Sequence, residues 1–280
     1  MKIRLCAFAD EAGSSAEEQI KALTENGITL IEVRNVDGKN ISKMTEDEAR
    51  GFAAKLKKAG IGVWSLGSPL AKVSVFTPLK KEMKRAEHLC VLAKIFETDN
   101  IRAFSFFNGG TLLFAGRAVK MVTALAAKLK ENGVNYCHEN DTGFLGAKVK
   151  GLDRIIAALP ELKLIYDPAN FLVSGQNPEV TLNKYADKAF YFHIKDAIGK
   201  KIVPAGAGKG RLPELIARLD RDTVFTVEPH LLLFRGCDGF DSSAYDLNSK
   251  RGRFDCAVGA IKKLLLEAGF EEKDGYFEKN

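Results

Sequence analysis

The sequence predicts a single-domain α/β protein, a (β/α)8 TIM barrel. Short apolar runs rich in β-branched residues alternate with longer amphipathic stretches from one end of the chain to the other. Eight such runs in 280 residues give a repeat of about 35 residues, which suits a strand followed by a helix. An open doubly wound sheet, the main rival architecture, would carry a GxGxxG loop after the first strand, and residues 9–13 are ADEAG instead.

Each of the eight predicted strands is a run of apolar and aromatic residues whose length is typical of a buried strand. The runs are Ile3–Ala9, Thr29–Val33, Gly62–Ser65, Ile101–Phe106, Val134–Cys137, Leu162–Tyr166, Phe190–Ile194 and Thr223–Val227.

The first two helices are predicted from their capping signals. Ser15 is a predicted N-cap with Glu18 as its capping-box partner, and Thr45 with Glu48 repeats the pattern. Asn-Gly at 26–27 and Ala-Gly at 59–60 end these helices. Further helices are predicted over Leu79–Phe96, Thr111–Asn132, Lys148–Leu159, Leu212–Leu219 and Asp255–Ala268.

Two long irregular segments, Gly67–Pro78 and Leu231–Lys250, follow the third and the eighth predicted strands. In a barrel both would lie at the C-terminal face, where active sites and lids are built. Since no linker, low-complexity tract or break in composition interrupts the chain, residues 1–280 are predicted to form one domain.

The composition indicates a globular protein of the reducing cytoplasm. The formal charge of +6 is small for this length and the lysines are spread along helical faces, which argues against a nucleic-acid partner. No run approaches the roughly 20 apolar residues of a membrane span, and the N-terminal run is too short for a signal peptide. Because the five cysteines are odd in number and lack a CxxC spacing, we expect buried thiols rather than disulfides or a zinc–thiolate site.

Four polar residues follow or end the last four predicted strands: Glu139, Asp167, His193 and Glu228. They are 28, 26 and 35 residues apart, about one strand–helix unit each, so four adjacent strands would deliver them to one rim of the barrel. Three carboxylates and an imidazole at one point repel each other unless a cation neutralises them. The set therefore predicts a site for one divalent metal, and its oxygen-rich composition favours Mn²⁺, Mg²⁺ or Co²⁺ over a structural zinc.

Taken singly, these residues have ordinary structural explanations. Asp167 precedes Pro168 and is a candidate helix N-cap. His193 alone is more typical of a hydrogen-bonded core histidine. It is the register of all four on consecutive strands that favours metal binding.

The chain resembles the xylose-isomerase-like TIM barrel family of sugar phosphate isomerases and epimerases. The matching segments are Phe8–Glu11, Ile31–Arg34, Tyr136–Asn140, Tyr166–Asn170, His193–Asp196, Pro204–Gly208 and Val227–His230. The resemblance implies that Glu139, Asp167, His193 and Glu228 hold one divalent metal (Mn, Mg or Co, with Zn as a further option), and that Glu139 and Glu228 are also the catalytic base and acid. It further implies a cytoplasmic enzyme that acts on a small carbohydrate and forms a homodimer or homotetramer.

Six further residues are candidates for binding the substrate. Glu32 and Arg34 share one face of the second strand, although an ion pair between them explains them equally well. Lys195 and Asp196 follow the predicted histidine ligand, and a salt bridge is their alternative. The candidate set is completed by Asn170 and His230, so that it comprises Glu32, Arg34, Asn170, Lys195, Asp196 and His230.

The leading hypothesis is a metal-dependent isomerase or epimerase that transfers a proton through an enediolate. A metal-dependent lyase or dehydratase acting on a keto-sugar or inosose begins with the same proton loss and is the alternative. A repair nuclease with a three-zinc cluster needs more histidines than the four present. A catalytically silent sugar-binding protein is the remaining alternative.

Overall fold

Eight parallel strands close into a barrel in the computed structural model, which describes residues 1–279. The strands are β1 (Lys2–Ala7), β2 (Leu30–Val33), β3 (Gly62–Leu70), β4 (Asn100–Ala103), β5 (Asn135–Glu139), β6 (Lys163–Tyr166), β7 (Ala189–Ile194) and β8 (Thr223–Val227). Neighbours in sequence are neighbours in the sheet, and β8 pairs with β1 in parallel from Ile3–Thr223 to Ala7–Val227. The predicted (β/α)8 barrel is therefore confirmed.

Nine helices are present in the described chain, most of them between successive strands. They are α1 (Ala16–Glu25), α2 (Glu46–Lys58), α3 (Leu79–Ile95), α4 (Ala115–Glu131), α5 (Val149–Ala158), α6 (Pro168–Val173), α7 (Pro178–Tyr185), α8 (Leu212–Ala217) and α9 (Lys250–Glu267). The short α6 and α7, between β6 and β7, are absent from the predicted set.

Both predicted capping boxes are confirmed. The Ser15 hydroxyl accepts a hydrogen bond from the Glu18 amide while the Glu18 carboxylate accepts one from the Ser15 amide, and Thr45 and Glu48 pair in the same way. These bonds satisfy amides that the helix itself leaves unpaired. They fix the start of α1 and α2 at the positions predicted.

Several boundaries differ from the prediction, among them those of β1, β3 and α9. Strand β1 ends at Ala7, and Ala9–Glu11 forms a 3-10 turn instead of continuing the strand. Strand β3 continues to Leu70 through a shift in register, which shortens the predicted loop at Gly67–Pro78. Helix α9 begins at Lys250 instead of Asp255, because the Ser249 hydroxyl caps it by accepting a hydrogen bond from the Gly252 amide.

Three antiparallel hairpins lie outside the barrel wall. One joins Asn35–Val36 to Lys39–Asn40, and a second joins Asp196–Ile198 to Lys201–Val203 directly after β7. The third, Glu271–Lys273 with Tyr276–Glu278, extends the sheet at the start of β1. The second hairpin projects at the C-terminal face of the barrel and borders the candidate site.

The core is apolar and the thiols in it are reduced. Large aromatic side chains such as Tyr166, Phe192 and Phe225 are fully buried and pack edge to face across neighbouring strands. All five cysteines are free; four are buried as expected, whereas Cys237 is partly exposed. No helix within residues 1–279 combines the length and the hydropathy that a membrane crossing requires.

Candidate metal centre and active site

The four predicted metal ligands converge at the C-terminal end of the barrel. Glu139 is the last residue of β5, Asp167 and Glu228 directly follow β6 and β8, and His193 lies near the end of β7. All four side chains are buried, and one donor atom from each lies within 4.8 Å of the others. Parallel strands present equivalent positions at one rim, which is why residues far apart in sequence meet here.

His193 is held in the orientation that a metal ligand needs. Its Nε2 lies 3.1 Å from the Glu32 carboxylate, while Nδ1 faces Glu139 Oε1 at 3.3 Å and Glu228 Oε2 at 3.5 Å. Nδ1 is buried and has no hydrogen-bond partner in the described chain. A carboxylate that accepts the N–H of one ring nitrogen leaves the other to face the ion, an arrangement typical of metal-binding histidines.

Asp167 uses its two carboxylate oxygens differently. Oδ1 accepts a hydrogen bond of 2.8 Å from the Asn170 amide and so caps α6, whose first residue is Pro168. Oδ2 is buried and belongs to the cluster, and the Lys195 ammonium forms an ion pair with it at 2.7 Å. The N-cap explanation and the ligand explanation are therefore compatible in this one residue.

The cluster has an unusual distribution of charge. Burial alone would raise the pKa of Glu139, but His193 and the Arg102 guanidinium lower it to about 2. Glu228 also has a lowered pKa, since Lys195 and His230 outweigh its burial. The pKa of Asp167, by contrast, rises to about 7 because of burial and the nearby carboxylates. In the ion-free protein at neutral pH, Glu139 and Glu228 are therefore charged.

Two buried cationic groups neutralise these carboxylates. Burial opposes protonation of His193, yet Glu32 and Glu139 raise its pKa well above the ordinary value. Lys195 is 4% exposed and its Nζ lies 2.6 Å from Glu228 Oε2 as well as 2.7 Å from Asp167 Oδ2. Burial disfavours the charge on Lys195 too, and again the carboxylates raise the pKa above its usual range. A divalent ion would displace the proton of His193, because a histidine ligand must be neutral.

The donor set fits one hard or borderline divalent cation. It provides carboxylate oxygens from three strands and one imidazole nitrogen, the ligands that Mn²⁺, Mg²⁺, Co²⁺ and catalytic Zn²⁺ accept. A second group of three, Glu11, Glu228 and His230, also lies close together. The Arg34 guanidinium already contacts two of its members, with NH2 3.0 Å from Glu11 and NH1 3.6 Å from Glu228. Arg34 supplies the positive charge that a second ion would bring.

Asn170, Arg34 and His230, three of the six candidate substrate residues, each contact a glutamate of the cluster. Asn170 donates a hydrogen bond of 3.0 Å from Nδ2 to Glu139 Oε1. His230 is 43% exposed, and its Nε2 lies 3.4 Å from Glu228 Oε1. Arg34 forms ion pairs with Asp10 and Glu11 instead of the considered pair with Glu32.

The other three candidates are buried and contact other groups of the protein. Glu32 lies beneath His193, fully buried and bonded to Tyr191 and Thr226 as well as to the histidine. Lys195 is occupied by the ion pairs with Asp167 and Glu228 described above. Asp196 is buried and accepts hydrogen bonds from the amides of Ala197, Gly206, Gly208 and Gly210. The position of Glu32 suits the orientation of a ligand, and that of Asp196 suits the folding of the loop 204–210.

Arg102 is a polar residue of the site that sequence reasoning missed. It is 5% exposed within β4, donates a hydrogen bond of 3.3 Å to Glu139 Oε2, and contacts the rings of Phe8 and Phe104. The available signal was an arginine inside an apolar strand, since a charge there has to meet a buried partner. Asp10 and Glu11, which hold Arg34, were noted only as part of a matching segment.

A comparison with protein families matches the model described as "Xylose isomerase-like TIM barrel" to residues 20–231. No curated protein matches the chain. Among solved structures, the IOLI protein with a bound zinc atom superposes with a TM-score of 0.73 at 15% identity, covering 95% of this chain and 99% of its own.

Two other similar structures carry enzyme names. The probable 3-DHS dehydratase AsbF, involved in petrobactin synthesis in Bacillus anthracis, has a TM-score of 0.71 and 17% identity over 94% of this chain and 98% of its own. D-psicose 3-epimerase, in the presence of D-fructose, has a TM-score of 0.64 and 12% identity over 95% and 99%. At these identities the likeness shows the fold.

Proposed function

We propose that this chain, which belongs to the xylose isomerase-like TIM barrel family, is a divalent-metal-dependent isomerase or epimerase of a small sugar or keto-sugar. The observation that carries the proposal is the buried convergence of Glu139, Asp167, His193 and Glu228, in which His193 Nδ1 has no hydrogen-bond partner within residues 1–279. A buried ring nitrogen without a hydrogen-bond partner is costly, so it favours a site built for an ion. The epimerase among the similar structures supports the reaction class.

The bound cation would supply one thing: polarisation of a carbonyl and its neighbouring hydroxyl, which acidifies the C–H between them and stabilises the resulting enediolate. The protein supplies the proton transfers. Glu139 and Glu228 approach the cluster from different strands and are both ionised, so either can remove a proton. Arg102 and Asn170 hold Glu139 in position.

The proton that one carboxylate removes is also available for return. The glutamate that takes it becomes a carboxylic acid and can give the proton to the neighbouring carbon of the enediolate, which completes an isomerisation. We assign Glu139 and Glu228 the role of the acid–base pair. Lys195, whose ammonium donates a hydrogen bond of 2.6 Å to Glu228 Oε2, holds that carboxylate in place.

Deuterium exchange tests this proposal. Protein loaded with Mn²⁺ is incubated in D₂O with a panel of ketoses, and incorporation at carbon is followed by NMR and mass spectrometry. We expect exchange with at least one ketose in the wild type, and its loss in Glu139→Gln and in Glu228→Gln. The exposed Glu131 of α4 provides the control variant Glu131→Gln, which should behave like the wild type. Metal uptake without exchange or product from any ketose would contradict the proposal.

A metal-dependent lyase or dehydratase is the second candidate. It is favoured by His230, which is partly exposed beside Glu228 and could protonate a departing hydroxyl group so that it leaves as water. The dehydratase among the similar structures points the same way. In the same incubations, a product lighter by one water, with no isomer formed, would favour elimination, and His230→Gln should then slow the release of water.

A further inference from the structure

A large cleft opens beside the metal centre at the C-terminal face of the barrel. Its volume is about 750 Å³, and it lies between the hairpin after β7, the segment after β8 and the first turn of α9. Asp10, Glu11 and Arg34 form its floor. It is large enough for a sugar-sized molecule with additional substituents.

The cleft adjoins the proposed acid–base pair. Two of its lining residues contact the same oxygen of Glu228: Arg34 NH1 lies 3.6 Å from Oε1, and His230 Nε2 lies 3.4 Å from it. The cleft therefore lies one side chain away from Glu228, on the side of Oε1.

The cleft has an excess of positive charge. Both of its carboxylates, Asp10 and Glu11, are already paired with Arg34. Four more cationic side chains line it, and within residues 1–279 none of them forms an ion pair: Lys200, Lys201, Lys250 and Arg253. Many other lysines and arginines of this surface are paired with a carboxylate, as Lys55 is with Glu17.

These cations are partly held in place. Lys250 donates a hydrogen bond to the Ser14 hydroxyl, and Arg253 NH1 donates one to the Leu247 carbonyl, which leaves the rest of the guanidinium free. Lys201 lies over the Phe234 ring at 5.9 Å. Cationic groups anchored in this way lose less conformational freedom when an anion binds.

The opposite wall of the cleft is apolar and begins at a strained residue. His230 has a φ of 45°, in the left-handed region, and its amide donates a hydrogen bond of 2.7 Å to Glu11. Such strain persists where the surroundings enforce it, often at functional sites. The turn sends the chain over the cleft, where Leu232 and Leu233 are 67% and 79% exposed. One wall is thus basic and the other is apolar.

We propose that this cleft binds an anionic group of the substrate, a carboxylate or a phosphate, through Lys200, Lys201, Lys250 and Arg253. Arg34 and His230 lie between that group and the reacting carbons. The inference rests on the proposed function, which identifies the ligand as a keto-sugar. It adds that the keto-sugar is acidic and that the charge lies at the end remote from the metal.

Calorimetric titration of the Mn²⁺-loaded protein tests the inference with three matched ketoses: D-fructose, D-fructose 6-phosphate and D-fructuronate. They share a skeleton and differ only in a neutral, phosphate or carboxylate end. We expect at least one anion to bind roughly tenfold or more tightly than fructose, as charge-assisted hydrogen bonds predict. Whichever anion shows the preference identifies the group.

Variants locate the effect in the cleft. The double variant Lys201→Gln/Arg253→Gln should lose about tenfold in affinity for the preferred anion and nothing for fructose. Lys58→Gln/Lys188→Gln removes the same two charges from exposed positions outside the cleft and should leave both affinities unchanged. Circular dichroism checks that each variant is folded.

The outcomes separate this inference from the proposed function. Equal binding of all three ketoses, no binding of either anion, or a preference that survives in Lys201→Gln/Arg253→Gln overturns the inference, even if deuterium exchange is observed. A preference for an anion that is lost in that variant supports the cleft as an anion site, even if no ketose exchanges deuterium and the proposed reaction fails.

Discussion

At the scale of single residues, the two nitrogens of His193 determine whether the cluster can accept an ion. Nδ1 faces Glu139 and Glu228, and Nε2 faces Glu32. From the sequence Glu32 was a candidate for binding the substrate, with an ion pair to Arg34 as the alternative, because the strand pattern shows which residues share a face but not how deep in the barrel each one lies. The structure places its carboxylate 3.1 Å from His193 Nε2, a position suited to orienting the ring.

Replacement of Glu32 tests that orienting role. Glu32→Gln retains the shape of the side chain but removes the charge that favours an N–H at Nε2. We expect metal affinity to fall roughly 10- to 100-fold, as for other residues that orient a histidine ligand. Titration of the metal-free protein with Mn²⁺ by calorimetry measures the change.

Tyr191→Phe is the matched control for Glu32→Gln. Tyr191 donates hydrogen bonds of 3.3 Å to Glu32 and its ring packs against that of His193, which Phe retains, but it offers no ligand atom, so loss of its hydroxyl should weaken metal binding much less. An unchanged affinity in Glu32→Gln would show that the carboxylate does not orient His193.

His138, next to a predicted ligand, makes the stability of the fold depend on pH. It is fully buried, neither ring nitrogen has a hydrogen-bond partner in the described chain, and burial lowers its pKa to about 4. An unfolded histidine has a pKa near 6.5, so between these values the unfolded chain binds the proton and the folded chain does not. The free energy of unfolding therefore has its full value above about pH 6.5 and decreases as the pH falls toward 4.

The contribution of His138 to this loss is up to about 3 kcal/mol. Urea unfolding of the wild type and of His138→Leu at several pH values measures it as a difference, which removes the effect of other titrating groups. We expect the difference in unfolding free energy to be constant above pH 6.5. Below pH 6.5 the wild type should lose stability relative to the variant. A difference that is constant down to pH 4 would refute the assignment.

At the scale of elements, the loop 204–210 depends on a single buried carboxylate. Asp196 accepts hydrogen bonds from three amides of the loop, and this packing leaves no room for a side chain at residue 208. A Cβ on Gly208 would collide with the Asp196 carboxylate and lie 2.6 Å from the Ala197 amide nitrogen. The loop and the hairpin that borders the cleft are thus held by the same residue.

Gly208→Ala should destabilise the protein by about 1–3 kcal/mol, the usual cost of forcing extra volume into a packed site. Gly116→Ala is the matched control, because Gly116 lies within α4 and a Cβ there meets nothing within 4 Å. That control should be neutral or stabilising by up to about 1 kcal/mol. Thermal unfolding compares the two, and equal stabilities would show that the loop can rearrange.

Local signals predicted some elements well and others not at all. The caps at Ser15 and Thr45 were predicted because their bonds connect residues three apart, which a sequence displays directly. Helices α6 and α7 were not predicted, although each begins with a proline that follows a capping residue, Asp167 and Asn177. The extension of β3 to Leu70 depends on pairing with β4, a contact that local sequence does not encode.

At the scale of the whole molecule, the predicted part of the site is the part that follows from the symmetry of the barrel. Glu139, Asp167, His193 and Glu228 were found because each follows or ends a strand, and strand ends meet at one rim. Arg102 and Lys195 could not be assigned partners from spacing, because long side chains reach sideways across the barrel. Their pairing with the ligands is a property of the assembled fold.

Because the four ligands come from four adjacent strands, an ion bound to them ties half of the barrel together. A ligand that binds only the folded state stabilises it by about 2.7 kcal/mol at a concentration 100 times its dissociation constant. For a chain of this size that corresponds to a rise in melting temperature of about 5–10 °C. We expect Mn²⁺ to produce such a rise and EDTA to reverse it.

Asp167→Asn separates this effect from the role of Asp167 in the fold. Asparagine is as good an N-cap as aspartate, so α6 should keep its start, whereas the oxygen Oδ2 that faces the cluster is lost. The variant should fold without metal but show little rise in melting temperature with Mn²⁺. The exposed Asp274, in the hairpin at the other end of β1, gives the control Asp274→Asn, which should respond to Mn²⁺ like the wild type. A full metal response in Asp167→Asn would mean that the ion binds elsewhere, because an ion held at this rim loses affinity when one of its carboxylate ligands is removed.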